Sequence, residues 1–157
     1  KAIFERNYKA FEKHHIGGIM AEDIDLFLDL YSDTLKWSGP NVYDGSFQTK
    51  SDLAAAAKGY LDQFENFSFV SGGVNPDNDG GYWGGNLYAD NGEINTAPNG
   101  IRIYGIWNAT HSETGAPVQL KFYAIQQFNE AGKVVLLNEW FDPSSMENQI
   151  KAFVESK

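Results

Sequence analysis

The 157 residues carry 12 Lys and Arg against 21 Asp and Glu, a net charge of -9, with 42% hydrophobic and 15% aromatic side chains. That apolar content offsets the ordering entropy of one compact domain spanning 1–157, which excludes disorder as the main state, and the negative charge argues against nucleic acid and membrane surfaces as partners. The longest aliphatic run, Val134 to Leu137, is strand-sized, and there is no Cys for disulfides, thiolate chemistry or Cys-type zinc sites, so a soluble protein is expected. The chain begins at Lys1, which implies that an upstream segment was removed, either by trimming or as a signal peptide; cytoplasmic and exported locations both stay open.

Phe4, Tyr8 and Phe11 recur at helical spacing before Gly17-Gly18, which predicts a first helix over about 2–14. Ile24, Phe27, Leu28, Tyr31 and Leu35 continue that spacing up to Gly39-Pro40 and predict a second over about 22–36. Thr49 or Ser51 caps a third, with Leu53, Ala57, Tyr60, Leu61 and Phe64 as its buried stripe, ending near Asn66. From Phe67 the period falls to two and Gly/Asn/Asp turns multiply, which predicts antiparallel strands at 67–71, 81–89, 101–110, 118–128 and 133–141. Pro143 stops the sheet, and Ser144 to Glu147 reads as a capping box for a short final helix carrying Met146, Ile150 and Phe153. Helices followed by a meander of long strands predict an α+β fold, a curved sheet with N-terminal helices on its concave face.

The order helix, helix, Trp37-Ser38-Gly39-Pro40, the Gly45 to Leu53 helix start, Thr114-Gly115-Ala116-Pro117-Val118 and a terminal hairpin over Asn129 to Asp142 resembles the nuclear transport factor 2-like superfamily. Within it the pattern is most similar to SnoaL-like polyketide cyclases and ketosteroid isomerases. The resemblance covers nearly the whole chain and implies a cone-shaped domain, a homodimer through the outer sheet face, and an acidic catalytic position that aligns with Glu139. Asn138-Glu139-Trp140 stands where many SnoaL-like members have His-Trp-Asp, and the stretch from Gly72 to Gly100 is longer and richer in Gly and Asn than usual.

If Glu130-Ala131 forms a two-residue turn, Phe122 lies opposite Glu139, Ala124 opposite Leu137 and Gln126 opposite Val135. Leu120, Phe122, Ala124 and Phe128 are the more core-like set, so Glu139 points inward, and Tyr123, Ile125, Leu136 and Trp140 form an apolar outer patch suited to a dimer interface. A carboxyl on an apolar wall has its charged form disfavoured, which raises its pKa toward the range useful for acid-base work and makes Glu139 the first catalytic candidate. The competing assignment is a rim carboxylate, solvated or paired with Arg102 or Lys121. His111 shares strand parity with Trp107, and a His111/Glu139 pair is the sharpest enzymatic hypothesis, set against an exposed His next to a turn. Tyr31, Trp37, Tyr60, Phe64, Trp83, Trp107 and Phe122 are the candidates for lining a small-molecule pocket, with plain core packing as the alternative.

Asp142 reads as a cap for the last helix. His14-His15 has no third ligand at metal spacing and fits a helix C-terminus; Asn75 to Gly80 mimics half a calcium loop but has Asn86 where a bidentate Glu is needed. No metal or cofactor is expected, and no phosphate loop or nucleophile elbow occurs. The functional expectation is a cofactor-free acid-base enzyme, of isomerase, cyclase or hydratase type, acting on a small hydrophobic carbonyl compound. The alternative is a noncatalytic ligand-binding or protein-interaction module of the same fold, and the 72–100 segment is left as either a lid or a connection.

Overall fold

The computed structural model describes residues 1–72, 81–85, 92 and 99–157. Chain order is α1 (Ala2–Ala10), a wide π-helical segment (Phe11–Ile16), α2 (Gly17–Met20), α3 (Ile24–Leu28), β1 (Tyr31–Ser38), α4 (Lys50–Gln63), β2 (Phe64–Ser71), β3 (Tyr82–Gly84), β4 (Gly100–His111), β5 (Pro117–Phe128), β6 (Val134–Trp140) and α5 (Pro143–Glu155). The strands form one open sheet of six in the order β1-β6-β5-β4-β2, with β3 also on β4. The fold is α+β, a cone of curved sheet whose inner face packs against the N-terminal helices and whose last helix is short.

Three features differ from the sequence expectation. Gly17-Gly18 does not end the first helix: a Cβ on Gly18 would lie 2.6 Å from the backbone nitrogen of Phe27, so glycine here permits close contact with α3 and the helical path runs on to Met20. The expected second helix over 22–36 divides into α3, capped by Asp23 whose side chain accepts from Leu26 N, and strand β1. β1 then pairs parallel with β6, so the sheet is mixed rather than purely antiparallel. Finally, α4 ends at Gln63 and β2 starts three residues early, with Asn66 at φ 57 where its pairing with β4 shifts register.

Of the two proposed caps for α4, Thr49 is the one used, and Asp52 returns a bond to the Thr49 backbone. Asp142 caps α5 by accepting from Ser144 N, with Pro143 in the first turn. The expected strand over 81–89 is represented by Tyr82–Gly84; residues 86–89, and the calcium-like stretch Asn75 to Gly80, lie outside the described residues, as does most of the 72–100 segment.

The terminal hairpin decides where Glu139 points. Its loop has three residues rather than two, with Asn129 N donating to Lys133 O and Gly132 at φ 78. A bulge between Gln127 and Phe128 adds a second extra residue. The register therefore slides by two, placing Ala124 opposite Glu139 and Gln126 opposite Leu137 in place of the expected partners. Because side chains alternate with period two, a slip of two preserves the face, and Glu139 still points to the core side.

The core joins Phe11 of the first helical run, Phe27, Tyr31, Leu35 and Trp37, Leu53 and Ala57 of α4, and the inward residues Ile101, Ile103, Phe122, Ala124, Phe128, Val134 and Leu137. A smaller cluster of Phe64, Val118 and Met146 closes the end near α5.

Candidate active site

Between the helices and the inner sheet face lies a cavity of about 110 Å³. His15 and Ile19 of the first helical run, Phe27 and Trp37 form one part of its wall, and Leu53, Ala56, Ala57 and Tyr60 of α4 another. The sheet supplies Phe64, Phe67, Trp107, Ala109, Val118, Leu120, Phe122 and Glu139, and Phe141 and Met146 complete the lining. Nearly all of this surface is hydrocarbon, so the two ionisable side chains with the lowest exposure, Glu139 at 7% and His15 at 5%, dominate its chemistry.

Trp37 Nε1 donates to Glu139 Oε2 at 2.7 Å. Register explains the encounter: β1 runs parallel to β6 with Trp37 level with Leu137, and the backbone of Trp37 is tied on its other side to Gln48 by bonds of 3.0 and 2.7 Å. Burial pushes the Glu139 carboxyl up to about 7, with the Trp37 hydrogen bond pulling the other way. One oxygen is thus held by an indole N–H, which can only donate, and Oε1 remains to take or give a proton.

Behind the wall sits a buried polar chain. His15 Nδ1 lies 2.5 Å from the Tyr31 hydroxyl, and Gln126 Nε2 donates to that hydroxyl over 3.5 Å. Burial lowers the His15 imidazole to about 3, so it is neutral through the physiological range. Burial raises Tyr31 well above its ordinary value, the charge of Glu139 adds to this, and the Gln126 bond opposes it. Tyr60 is raised by the same two causes, burial first and then Glu139. Glu139 therefore acts electrostatically on a hydroxyl of the lining, that of Tyr60, and on one behind it, that of Tyr31.

Of the residues expected at the site, Glu139, Trp37, Tyr60, Phe64, Trp107 and Phe122 line this cavity. Tyr31 does not: it is 1% exposed and sits one layer back, against His15 and Phe27. Trp83 is not there either; it pairs with Arg102 on the outer face of the sheet and is 49% exposed. His111 lies at the β4–β5 turn, with Nδ1 2.9 Å from Thr114 Oγ1 and its ring on Phe64 at 5.4 Å, so the expected His111/Glu139 pair is not brought together around the cavity. A different histidine, His15, occupies the wall. Its signal is present in the spacing, since Tyr8, Phe11 and His15 follow one helical stripe, but a break at Gly17-Gly18 makes His15 a helix C-terminal residue rather than part of a wall. Glu139 is not paired with Arg102 or Lys121, whose strand positions alternate to the outer face. His14, next along, turns away, its Nδ1 3.2 Å from Leu26 O.

No protein-family model matches the sequence, and no curated protein does. Solved structures do match. PrhC from Penicillium brasilianum is similar with a TM-score of 0.67 and 12% identity, over 98% of this chain and 91% of that one. IdmH of Streptomyces antibioticus, a putative polyketide cyclase, superposes with a TM-score of 0.66 and 11% identity, over 92% and 98%. The chain has the nuclear transport factor 2-like fold. A Delta 5-3-ketosteroid isomerase from a Mycobacterium species shares that fold with a TM-score of 0.61 and 13% identity, over 90% and 96%. In this chain the cone of the nuclear transport factor 2-like fold encloses the cavity that Glu139 and His15 face.

Proposed function

We propose that the chain is one SnoaL-like domain that catalyses proton transfer on a small hydrophobic carbonyl compound held in this cavity, without a cofactor. The observation that carries the reading is Glu139: a carboxyl pushed up to about 7 by burial, oriented by Trp37, on an otherwise apolar wall. A base of that strength is half ionised near neutral pH, which balances its readiness to take a proton and to return it. As carboxylate, Glu139 Oε1 removes a hydrogen from the carbon next to the carbonyl; the electron pair of that C–H bond moves into an enolate and the negative charge rests on oxygen. In a β,γ-unsaturated substrate the enolate is a dienolate, and return of the same proton from Glu139 to its γ carbon completes an isomerisation; attack of the enolate carbon on a second carbonyl within the molecule breaks that C=O π bond, and Glu139 gives its proton to the resulting alkoxide to complete an aldol-type cyclisation. The aromatic rings of Trp107, Phe122 and Tyr60 exclude water and hold the apolar body of the substrate.

Copies of the chain pair through the outer sheet face, built around Tyr123, Ile125, Leu136 and Trp140. Supporting this, Tyr104, Tyr123 and Trp140 stack in a row at 4.8 and 5.2 Å, and Trp140 is left 51% exposed.

The test is substrate-independent. Small apolar ketones are incubated with the protein in deuterated water and exchange at the carbon next to the carbonyl is followed by NMR. Exchange above background that falls by at least about 100-fold in Glu139→Gln supports the reading. Exchange equal in both proteins removes Glu139 as the base, and no exchange with any ketone that binds favours the noncatalytic ligand-binding module.

A further inference from the structure

His15 is unusual for a buried histidine on a helix: one ring nitrogen is engaged by a side chain from β1, and the ring forms part of a ligand-sized cavity. The direction of the bond to Tyr31 follows from what surrounds it. Gln126 Nε2 donates to the Tyr31 oxygen, and the buried Tyr31 hydroxyl has no acceptor among the described residues other than His15 Nδ1, so its hydrogen goes to Nδ1 rather than being left unsatisfied. An imidazole that accepts at Nδ1 carries its own hydrogen at Nε2. Among the described residues Nε2 has no hydrogen-bond partner, and the ring, 5% exposed, is part of the cavity wall.

Packing fixes the ring as firmly as the hydrogen bond does. Phe11 stacks on it at 4.6 Å, and Phe27 and Phe122 lie tilted against it at 4.9 and 5.8 Å, so it cannot flip to exchange its nitrogens without disturbing three core aromatics.

We propose that His15, locked as the Nε2–H tautomer by Tyr31 and Gln126, is the cavity's hydrogen-bond donor and binds the carbonyl oxygen of the ligand, with Tyr31 as its positioning residue. The ligand class this selects is an apolar molecule with one ketone-type acceptor. A hydrocarbon of the same shape leaves the Nε2–H buried and unsatisfied, which a buried donor tolerates poorly. The neutral imidazole suits this task, because it donates to the carbonyl in the ground state and more strongly to the enolate oxygen as charge develops.

The inference rests on the cavity being the ligand site of the proposed function, and its tests need no turnover. The first is the tautomer of His15 in the unmodified protein, read by nitrogen-15 NMR. The chain has 3 His, so His14→Gln and His111→Gln assign the signals. A pyridine-type Nδ1 and a pyrrole-type Nε2, changing to mixed tautomers in Tyr31→Phe, is the expected result. A pyrrole-type Nδ1, or a tautomer indifferent to Tyr31→Phe, overturns the proposal.

The second test compares binding of acetophenone with that of α-methylstyrene, which differs in having a methylene where the ketone has oxygen. The ratio of the two affinities should fall about three- to tenfold in His15→Phe and by a similar factor in Tyr31→Phe. An unchanged ratio in both variants overturns the assignment, and because two variants and a measurement on the unmodified protein are used, one that misfolds does not remove the test. Ketone preference that depends on His15 without any Glu139-dependent exchange would leave this inference standing while the proton-transfer reading fell; the reverse result would remove His15 alone.

Discussion

Burial acts in opposite senses on the two ionisable groups of the cavity wall, and this gives them opposite effects on stability. Glu139 is raised from 4.5 to about 7, so between those values the folded protein holds a proton that the unfolded chain has released, and stability falls as pH rises. His15 is lowered from 6.5 to about 3, so between those values the unfolded chain holds the extra proton, and stability falls as pH drops. From about pH 4.5 to 6.5 the two slopes, each about 1.4 kcal/mol per pH unit, oppose and cancel. The exposed carboxylates Asp44, Asp52 and Asp142, pulled below 3.8 by hydrogen bonds from Ser46, Thr49 and Ser144, lose their contribution only below this window. Urea unfolding across the window is therefore expected to be nearly flat for the unmodified protein. Glu139→Gln should expose a stability that climbs with pH, and His15→Phe one that declines. Slopes of the same sign in the two variants would contradict these assignments.

At the scale of elements, the most consequential contact is the crossing of α2 and α3, because it fixes the depth of His15 and Ile19 against Phe27. Gly18 makes that crossing possible, and a Cβ there meets the nitrogen, Cα and Cβ of Phe27 at 2.6, 2.7 and 2.8 Å. Backbone atoms cannot give way as a flexible side chain does, so Gly18→Ala should cost about 2 kcal/mol by denaturant unfolding and weaken ligand binding at His15. Gly17→Ala, whose nearest atom is a carbonyl oxygen at 3.4 Å, is the matched control and should be close to neutral. The same region shows where sequence reading stops. Ile24, Phe27, Leu28 and Tyr31 fit a helix, but Tyr31, Leu35 and Trp37 equally fit the even spacing of a strand, and the pairing of β1 with β6, distant in sequence, decides between them. The final hairpin was legible for the opposite reason. Its loop and bulge added two residues together, so the face of Glu139 followed from alternation even though every partner moved. His111 and His15 exchanged prominence because parity along β4 is readable, whereas how far a helix continues past two glycines depends on the helix it meets.

For the whole molecule, the cone leaves two aromatic surfaces with different roles: an inner one that encloses the cavity and an outer one that is only partly covered. Trp83, Val70 and Trp140 are 49, 53 and 51% exposed, and each lies on or beside the outer face. Sedimentation equilibrium should give twice the 17.5 kDa chain mass, and Trp140→Glu combined with Tyr123→Glu should return the monomer with the cavity intact. A monomer at micromolar concentration without those changes would reject the outer face as an interface.

The cone is organised around one desolvated acid, and the ionisation of Glu139 is its most direct expression. That ionisation is measured by carboxyl-carbon NMR titration of the unmodified protein, with Glu139→Gln assigning the resonance. A midpoint near the value of about 7 that burial imposes is the predicted result, and a midpoint close to the ordinary 4.5 would contradict it.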